Sequence, residues 1–204
     1  MASNPERRAA LVDAGVEVLA REGARGLTFR AVDTEAGLPV GTSSNYFTGR
    51  DDLLRQIDAR LHVRLAPDPD VVAGLLTRPK DRSLVKALMH DLTARATHDR
   101  TGYLALLEMR LEATRRPELR ASYTKSVRAD LEDGMRFHRE AALPGGDETV
   151  MVLYLAMLGL LLEHLTLPGV LEGALPGTAV PDALVERIVE TIVPVNESGG
   201  AGPH

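Results

Sequence analysis

Helix start and stop signals recur along the whole chain, and no segment alternates apolar and polar residues as a half-buried strand would. Asn4 followed by Pro5 is typical of a helix N-terminus, because Asn caps free amides and Pro is tolerated in the first turn. Gly23 and Gly26 indicate where that helix ends. Aromatic residues make up only 3% of the chain, so the core must consist mostly of Leu, Val and Ala. Since Leu and Ala favour helices, we predict an all-α fold.

Caps and breaks predict the remaining helices. Thr28 caps a short second helix that runs to about Ala36, and a third follows Gly37 over residues 39–46. Asp51 and Asp52 then open a fourth helix, where carboxylates favour the positive end of the helix dipole. Longer helices are predicted over residues 82–98, 101–115, 118–142, 147–166 and 181–193.

Several classes of protein are excluded by what the sequence lacks. It contains no cysteine, which rules out disulfides, thiolate metal sites and cysteine nucleophiles. Charges interrupt the N-terminal residues before an apolar run develops, unlike a signal peptide. The longest uncharged apolar run, 150–162, is shorter than the roughly 20 residues that span a bilayer. We therefore expect a cytoplasmic protein that does not enter a membrane.

Catalytic and metal-binding motifs are also missing. The sequence has no Gly-x-Ser-x-Gly, glycine-rich phosphate loop or His-Glu-x-x-His. His90 and His98, each followed by an Asp, lie eight residues apart, which places them about 12 Å apart along a helix. That distance is too long for one ion. We expect no catalytic residue, no metal and no cofactor, and hence no enzyme.

The charge distribution permits DNA binding without arguing for it. Residues 1–65 carry nine arginines and nine acidic residues, whereas the net charge of −5 arises entirely from residues 66–204. A neutral segment can still bind phosphates when its arginines cluster on one face.

The most informative stretch is TFRAVDTEAGLPVGTSSNYFTGRDDLL, residues 28–54. Two short predicted helices meet at a Gly-centred turn, as in a helix-turn-helix. The first is apolar on one side, whereas the second carries small hydrogen-bonding side chains that can approach base edges without clashing. Phe47 is expected in the core, and the Tyr46 hydroxyl can reach a phosphate.

This stretch resembles the TetR family of bacterial regulators. The matching features are Thr28, Gly37, Thr42, the Tyr46-Phe47 pair and the stretch 49–54, which opens the fourth helix. Two positions depart from the family pattern, with Ser44 in place of an aromatic residue and Arg50 in place of Lys.

The resemblance implies a DNA-contact role for nine residues. Thr28, Tyr46 and Arg50 would hold phosphates, and Arg30 could contact either phosphates or bases. Alternatively, Thr28 is only a helix cap, Arg50 only a surface charge, and the polar run only an exposed helix face. The residues implied to read base edges or thymine methyls are Val40, Thr42, Ser43, Ser44 and Asn45.

The resemblance also implies a domain order. Residues 1–50 form an N-terminal three-helix helix-turn-helix DNA-binding domain, and 51–65 form a connecting helix. Residues 66–195, after the Pro-rich loop at 67–69, form a helical ligand-binding and dimerisation domain. The polar, Gly-rich tail 196–204 is expected to be disordered.

Two predicted helices of the C-terminal domain suit a homodimer interface. Residues 150–162 are apolar on nearly all sides and need covering on nearly all sides. Paired with their twofold copies, the two helices would form a four-helix interface, although both could instead belong to the monomer core. In the last helix the apolar residues are Leu184, Val185, Ile188, Val189, Ile192 and Val193.

Two apolar stripes are candidates for a ligand site, with ordinary core packing as the alternative. A pocket lined this way would suit a small apolar or amphipathic effector. Glu108, if buried, would need a partner such as a basic ligand, Arg110 or Arg128. The candidate residues are Leu104, Leu107, Glu108, Leu111, Tyr123, Val127 and Leu131.

The function expected from the sequence is ligand-responsive repression of transcription. A homodimer would bind a palindromic double-stranded DNA operator, and a small molecule would lower that affinity. One alternative is a regulator without a small-molecule effector. Another is a helical protein-interaction module.

Overall fold

A computed structural model describes residues 4–172 and 181–195. Within these ranges there are nine α-helices and two 3-10 turns, with no β-strand, which confirms the all-α prediction. The predicted tail 196–204 lies outside the described residues. The helices are α1 Pro5–Gly26, α2 Phe29–Glu35, α3 Arg50–Arg64, α4 Pro69–Leu75, α5 Arg82–His98, α6 Arg100–Ala113, α7 Pro117–Glu140, α8 Asp147–Thr166 and α9 Asp182–Ile192; the 3-10 turns are Ser43–Asn45 and Pro168–Val170.

Local capping explains where the first helices begin. The Asn4 side chain accepts a hydrogen bond from the Arg7 amide at 3.1 Å, as its position before Pro5 predicts. Thr28 caps α2 through a 3.1 Å bond from the Ala31 amide. Both predicted caps are confirmed.

One helix was not predicted, although the same kind of signal precedes it. In α4, Pro69 occupies the first turn, and the Asp68 side chain accepts a hydrogen bond from the Asp70 amide at 2.8 Å. Residues 67–69 were interpreted only as a Pro-rich loop. An acidic cap followed by Pro is, however, as good a helix start as Asn followed by Pro.

The predicted third helix over residues 39–46 is wrong. Only Ser43–Asn45 are helical, and they form a single 3-10 turn. Gly41 has φ +97°, a left-handed conformation that interrupts the regular hydrogen bonding of an α-helix. Side chains of Thr, Ser and Asn favour such local turns because they bond to nearby backbone groups in competition with the helix.

The chain divides into two compact units. Unit 1 comprises the described residues up to Ala66 together with His98–Val127, and unit 2 comprises Pro67–Thr97 and the described residues from Arg128 onwards. These units do not follow a single boundary at residue 66, because α6 packs against α1 and α3 within unit 1. The assignment of DNA binding and ligand binding to separate domains stays a prediction.

The core of unit 1 is built where α1, α3 and α6 meet. Gly15 of α1 permits a close approach, since a Cβ there would lie 2.9 Å from Cδ1 of Ile57 in α3. On α6, Ala105 and Met109 are fully buried. The side chains of α1 and α3 that fill this core include Leu11, Val16, Val18, Leu19, Leu53, Leu54, Ile57 and Leu61.

The core of unit 2 joins α5, α8 and α9. Val185, Val189 and Val193 are buried, and the other three apolar residues predicted for a dimer interface in the last helix pack against the same clusters. All six therefore contribute to the core of this unit; the three partly buried ones are Leu184, Ile188 and Ile192. On α5, His90 contacts two carboxylates at the start of α9, Asp182 at 3.3 Å through Nδ1 and Glu186 at 2.9 Å through Nε2. Among the residues that the structure describes, no three His, Asp or Glu side chains are grouped as a metal site would need.

Helix α8 has one apolar face that the described residues leave exposed. Met151, Val152, Leu155 and Leu162 are all exposed, with Leu155 at 57%. By length and composition alone this helix could cross a membrane, since an 18-residue window of it has a mean hydropathy of 1.7. Within the structure, 28% of that window is buried. The uncharged run 150–162 is shorter than the helix that contains it, because charged residues on both sides of the run are also helical. The run alone therefore underestimated the length of helix available to span a bilayer. A single helix of this kind is weak evidence for a membrane span.

Candidate nucleic-acid interface

A buried carboxylate shapes the segment after α2. Asp33 has no exposed surface. Its Oδ2 accepts a hydrogen bond from the Gly41 amide at 2.7 Å, and its Oδ1 accepts from the Ser43 amide at 2.7 Å and the Ser43 hydroxyl at 2.5 Å. Hydrogen bonds to a charged acceptor contribute about 1.5–3 kcal/mol each. These three bonds therefore fold residues 41–45, which we call the polar turn, back against α2.

Asp33 was not singled out from the sequence, although a pattern could have revealed it. It lies four residues after Phe29, on the same side of α2 as the apolar residues, where a carboxylate needs a buried partner. Its neighbour Val32 is buried in the core of unit 1. Together these two residues fix the orientation of the helix from which the polar turn departs.

The polar turn exposes some of the predicted base-contacting residues and buries one. Val40, just before it, is 68% exposed, and Ser44 and Asn45 are also exposed. Thr42 is half-buried. Ser43, predicted to face DNA bases, is instead fully buried because Asp33 binds both its amide and its hydroxyl.

The aromatic pair after the turn divides as the sequence predicts. Phe47 is buried, and its ring centroid lies 6.1 Å from that of Phe29. Tyr46 stays half-buried at the surface. The guanidinium of Arg8, a residue that sequence reasoning missed, lies 5.8 Å from the Tyr46 ring centroid and 5.7 Å from that of Phe47.

A second carboxylate holds the segment between Phe47 and α3. The Thr48 amide donates to Oδ2 of Asp52 at 3.0 Å, and Gln56 donates to Oδ1 at 3.1 Å. The bond from the Thr48 amide is the main cause that keeps the pKa of Asp52 below its ordinary value, although partial burial opposes it. Asp52 therefore remains a charged acceptor at neutral pH.

Arg50, predicted to bind a phosphate, is engaged inside unit 1. Its guanidinium donates to the carbonyl oxygen of Ala24 and lies 3.7 Å from Oε1 of Glu112. Glu112 is buried and also accepts a 2.6 Å bond from Nε of Arg116, which pairs with Asp51 at 2.6 Å. These contacts tie Arg50, at the start of α3, to α1 and α6, and its predicted phosphate contact stays a prediction. By contrast, Thr28 and Arg30 are exposed.

The residues predicted to bind a ligand are not all in similar surroundings. Tyr123 is buried and Val127 half-buried at the core of unit 1, whereas Leu111 is 52% exposed. Leu131 belongs to unit 2. The other three, Leu104, Leu107 and Glu108, are half-buried in α6. The ligand site stays a prediction.

Two family profiles match the chain. The profile described as "Bacterial regulatory proteins, tetR family" matches residues 11–57, which contain the polar turn. The profile described as "Tetracyclin repressor-like, C-terminal domain" matches residues 80–194, which is more than half of the chain.

A curated relative matches part of the chain. The HTH-type nicotine-responsive transcriptional repressor HdnoR of Paenarthrobacter nicotinovorans is 28% identical over 131 residues. The match covers 64% of this chain and 66% of that repressor, just under two thirds of its length.

Solved structures with the same fold cover nearly the whole chain. The multidrug binding protein EbrR complexed with imidazole is 26% identical with a TM-score of 0.66, covering 94% of this chain and 97% of EbrR. Its complex with ethidium gives 25% identity and a TM-score of 0.67, covering 94% and 100%. A member of the TetR family from Streptomyces coelicolor A3 gives 26% and 0.67, again covering 94% and 100%.

Replacing Asp33 by Asn should disrupt the polar turn. An amide keeps the size of the carboxylate but loses its charge and presents an N–H group to donors, so the free energy of unfolding should fall by about 1.5–3 kcal/mol. Urea denaturation followed by circular dichroism measures this change. The matched control is Glu35→Gln on the same helix, where only an exposed 2.8 Å ion pair with Arg21 is lost and the stability should change far less. Equal stability of the two variants would contradict the anchoring role.

Proposed function

Because the chain belongs to the TetR family of bacterial regulatory proteins, we propose that it represses transcription by binding a palindromic operator as a homodimer. Family membership itself makes the chain a DNA-binding transcriptional regulator and not an enzyme, as the sequence predicted. The proposal adds the operator, the dimer and release by a small molecule, with the cytoplasm as the place of action. The observation that carries it is the exposed polar turn held by Asp33.

In the proposed complex the polar turn enters the major groove. Val40 would contact a thymine methyl, and Ser44 and Asn45 would face polar base edges with Thr42 beside them. Ser43 is excluded from this set because it is buried. The small side chains support a close approach of the protein backbone to the bases.

Phosphate contacts would surround this turn and set its register. Thr28 and Arg30 at the start of α2 are exposed, and Tyr46 lies at the surface directly after the polar turn. Arginine and hydroxyl groups are typical phosphate ligands in protein–DNA complexes. Arg50 is assigned instead to positioning α3, since Ala24 and Glu112 already bind its guanidinium.

The uncovered face of α8 supports the homodimer. Met151, Leu155 and Leu162 follow one another at helical spacing, and the exposed Gly159 between them permits close helix packing. A twofold axis would pair this face with its own copy. A palindromic operator needs two copies of the DNA-binding helix-turn-helix, one from each subunit, because successive major grooves on one side of the duplex lie about 34–36 Å apart.

Comparison with relatives supports a small-molecule effector. One relative is a nicotine-responsive repressor, and EbrR forms complexes with imidazole and ethidium. We assign this chain a small amphipathic effector that favours a dimer arrangement with lower operator affinity. The loss of affinity is then set by the ligand's differential preference for that arrangement. A regulator that lacks a small effector is the second candidate.

The operator contacts can be tested with a duplex that the wild-type protein selects from a random-sequence library. Arg30→Gln should lower the slope of log affinity against log salt concentration by about 0.9, as expected for one lost phosphate contact. Tyr46→Phe should weaken binding without changing that slope, because the hydroxyl carries no charge. Arg136→Gln, which removes an exposed arginine of unit 2, is the charge-matched control. If it acts as strongly as Arg30→Gln, the proposed contact is wrong.

The dimer interface can be tested with a charge on α8. Leu155→Glu should convert the dimer into a monomer, because a buried carboxylate without a partner opposes association. Sedimentation velocity measures the outcome. Val63→Glu is the control, since Val63 is even more exposed, at 69%, but lies on α3. A wild-type monomer, or dimer loss only in the Val63 variant, would refute this interface.

Effector binding can be tested by thermal unfolding with amphipathic small molecules, including nicotine. A compound that binds only the folded protein should stabilise it by about 2.7 kcal/mol at a hundredfold excess over its Kd. The same compound should release the selected duplex in a mobility-shift assay. Compounds that stabilise the protein yet leave its DNA affinity unchanged would favour the regulator without an effector.

A further inference from the structure

We infer that Arg8 is a positioning residue that orients the Tyr46 ring for its phosphate contact. This inference rests on the proposed function and adds to it a residue in the first turns of α1, before the stretch 28–54 that carries the predicted DNA contacts. Arg8 is only partly exposed. It lies beside the two aromatic residues that follow the polar turn.

The geometry places one guanidinium against two rings. The Arg8 Cζ atom is 5.8 Å from the centroid of Tyr46 and 5.7 Å from that of Phe47. Both distances are within the roughly 6 Å over which a cation attracts an aromatic ring. Because Phe47 is buried and fixed, Arg8 can hold the more exposed Tyr46 ring relative to a rigid neighbour.

A hydrogen-bonded chain holds Arg8 in this position. Its Nη1 donates to Oε1 of Gln56 at 3.0 Å, and Gln56 in turn donates to Asp52 at 3.1 Å. Asp52 also accepts from the Thr48 amide at 3.0 Å. The chain therefore starts in α1, passes along α3 and returns to the segment immediately after the aromatic pair.

Tyr46 is consequently constrained on three sides. Before it, Asp33 fixes the polar turn, and after it, Asp52 fixes Thr48. The Tyr46 ring packs partly against the core of unit 1, and the Arg8 guanidinium adds a further restraint on its orientation. Lysine is a poor replacement, since its single ammonium group lacks the fork of N–H donors with which a guanidinium can face the rings and donate to Gln56 at the same time.

The engagement of Arg8 distinguishes positioning from direct phosphate binding. A guanidinium that lies within cation–π distance of two rings and donates to Gln56 is committed to the protein. Arg7, one residue earlier, is exposed and offers a matched comparison with the same charge. The two arginines should therefore behave differently toward Tyr46.

The test is a double-mutant cycle on the duplex selected by the wild-type protein. Arg8→Gln and Arg8→Lys should each weaken binding about two- to fivefold, the range for an exposed cation–π contact, with the salt slope unchanged. In the Tyr46→Phe background the same changes should have no further effect, because there is no hydroxyl left to orient. Arg7→Gln should have the same effect in both backgrounds.

Three results would overturn the inference. They are equal losses with and without the Tyr46 hydroxyl, a salt slope lowered by about 0.9 as for a direct phosphate contact, or full binding by Arg8→Lys. Thermal unfolding is recorded for each variant. If Arg8→Gln unfolds at the assay temperature, Gln56→Ala replaces it, since that change removes the hydrogen bond to Arg8 and keeps the charge of Arg8. The loss of DNA affinity that Gln56→Ala causes must then also disappear in the Tyr46→Phe background.

Failure of the inference and failure of the proposed function give different results. If the wild-type protein enriches no sequence from the library, the operator proposal fails and the role of Arg8 fails with it. If a sequence is enriched and the cycle shows no coupling between Arg8 and Tyr46, only the inference on Arg8 is wrong.

Discussion

The candidate interface depends on one buried carboxylate. Asp33 lies entirely inside unit 1 and accepts hydrogen bonds from the Gly41 amide and from both the amide and the hydroxyl of Ser43. Because a charge without partners cannot remain in such a place, the chain must return to α2 directly after Gly41. The position of Tyr46 and the start of α3 follow from that return.

How far the sequence predicts this fold depends on whether the cause of each element is local. The starts of α1 and α2 were predicted because Asn4 and Thr28 cap amides three residues away. The polar turn was not, because its shape is set by Asp33, eight to ten residues earlier. The pattern of residues 39–46 is compatible with a helix, but the hydrogen bonds to the buried carboxylate of Asp33 determine the backbone conformation that the segment adopts.

The candidate site was predicted unevenly for the same reason. Exposure of Val40, Ser44 and Asn45 follows from the short polar run itself. The burial of Ser43 and the engagement of Arg50 with Ala24 and Glu112 depend on residues distant in sequence. Resemblance to a family implies a role for a position, but the partners of a side chain in this chain decide whether that role is open to it.

The polar turn separates the residues that maintain its shape from those that it displays. Asp33, Gly41 and Ser43 form the framework, while Val40 projects into solvent without joining it. Ser44 and Asn45 also project outward, and they add only local bonds to the Gly41 carbonyl oxygen. Displayed positions can therefore accumulate substitutions over evolutionary time at little thermodynamic expense. If these positions read the operator as proposed, such substitutions would change the DNA target while the architecture of the turn is conserved.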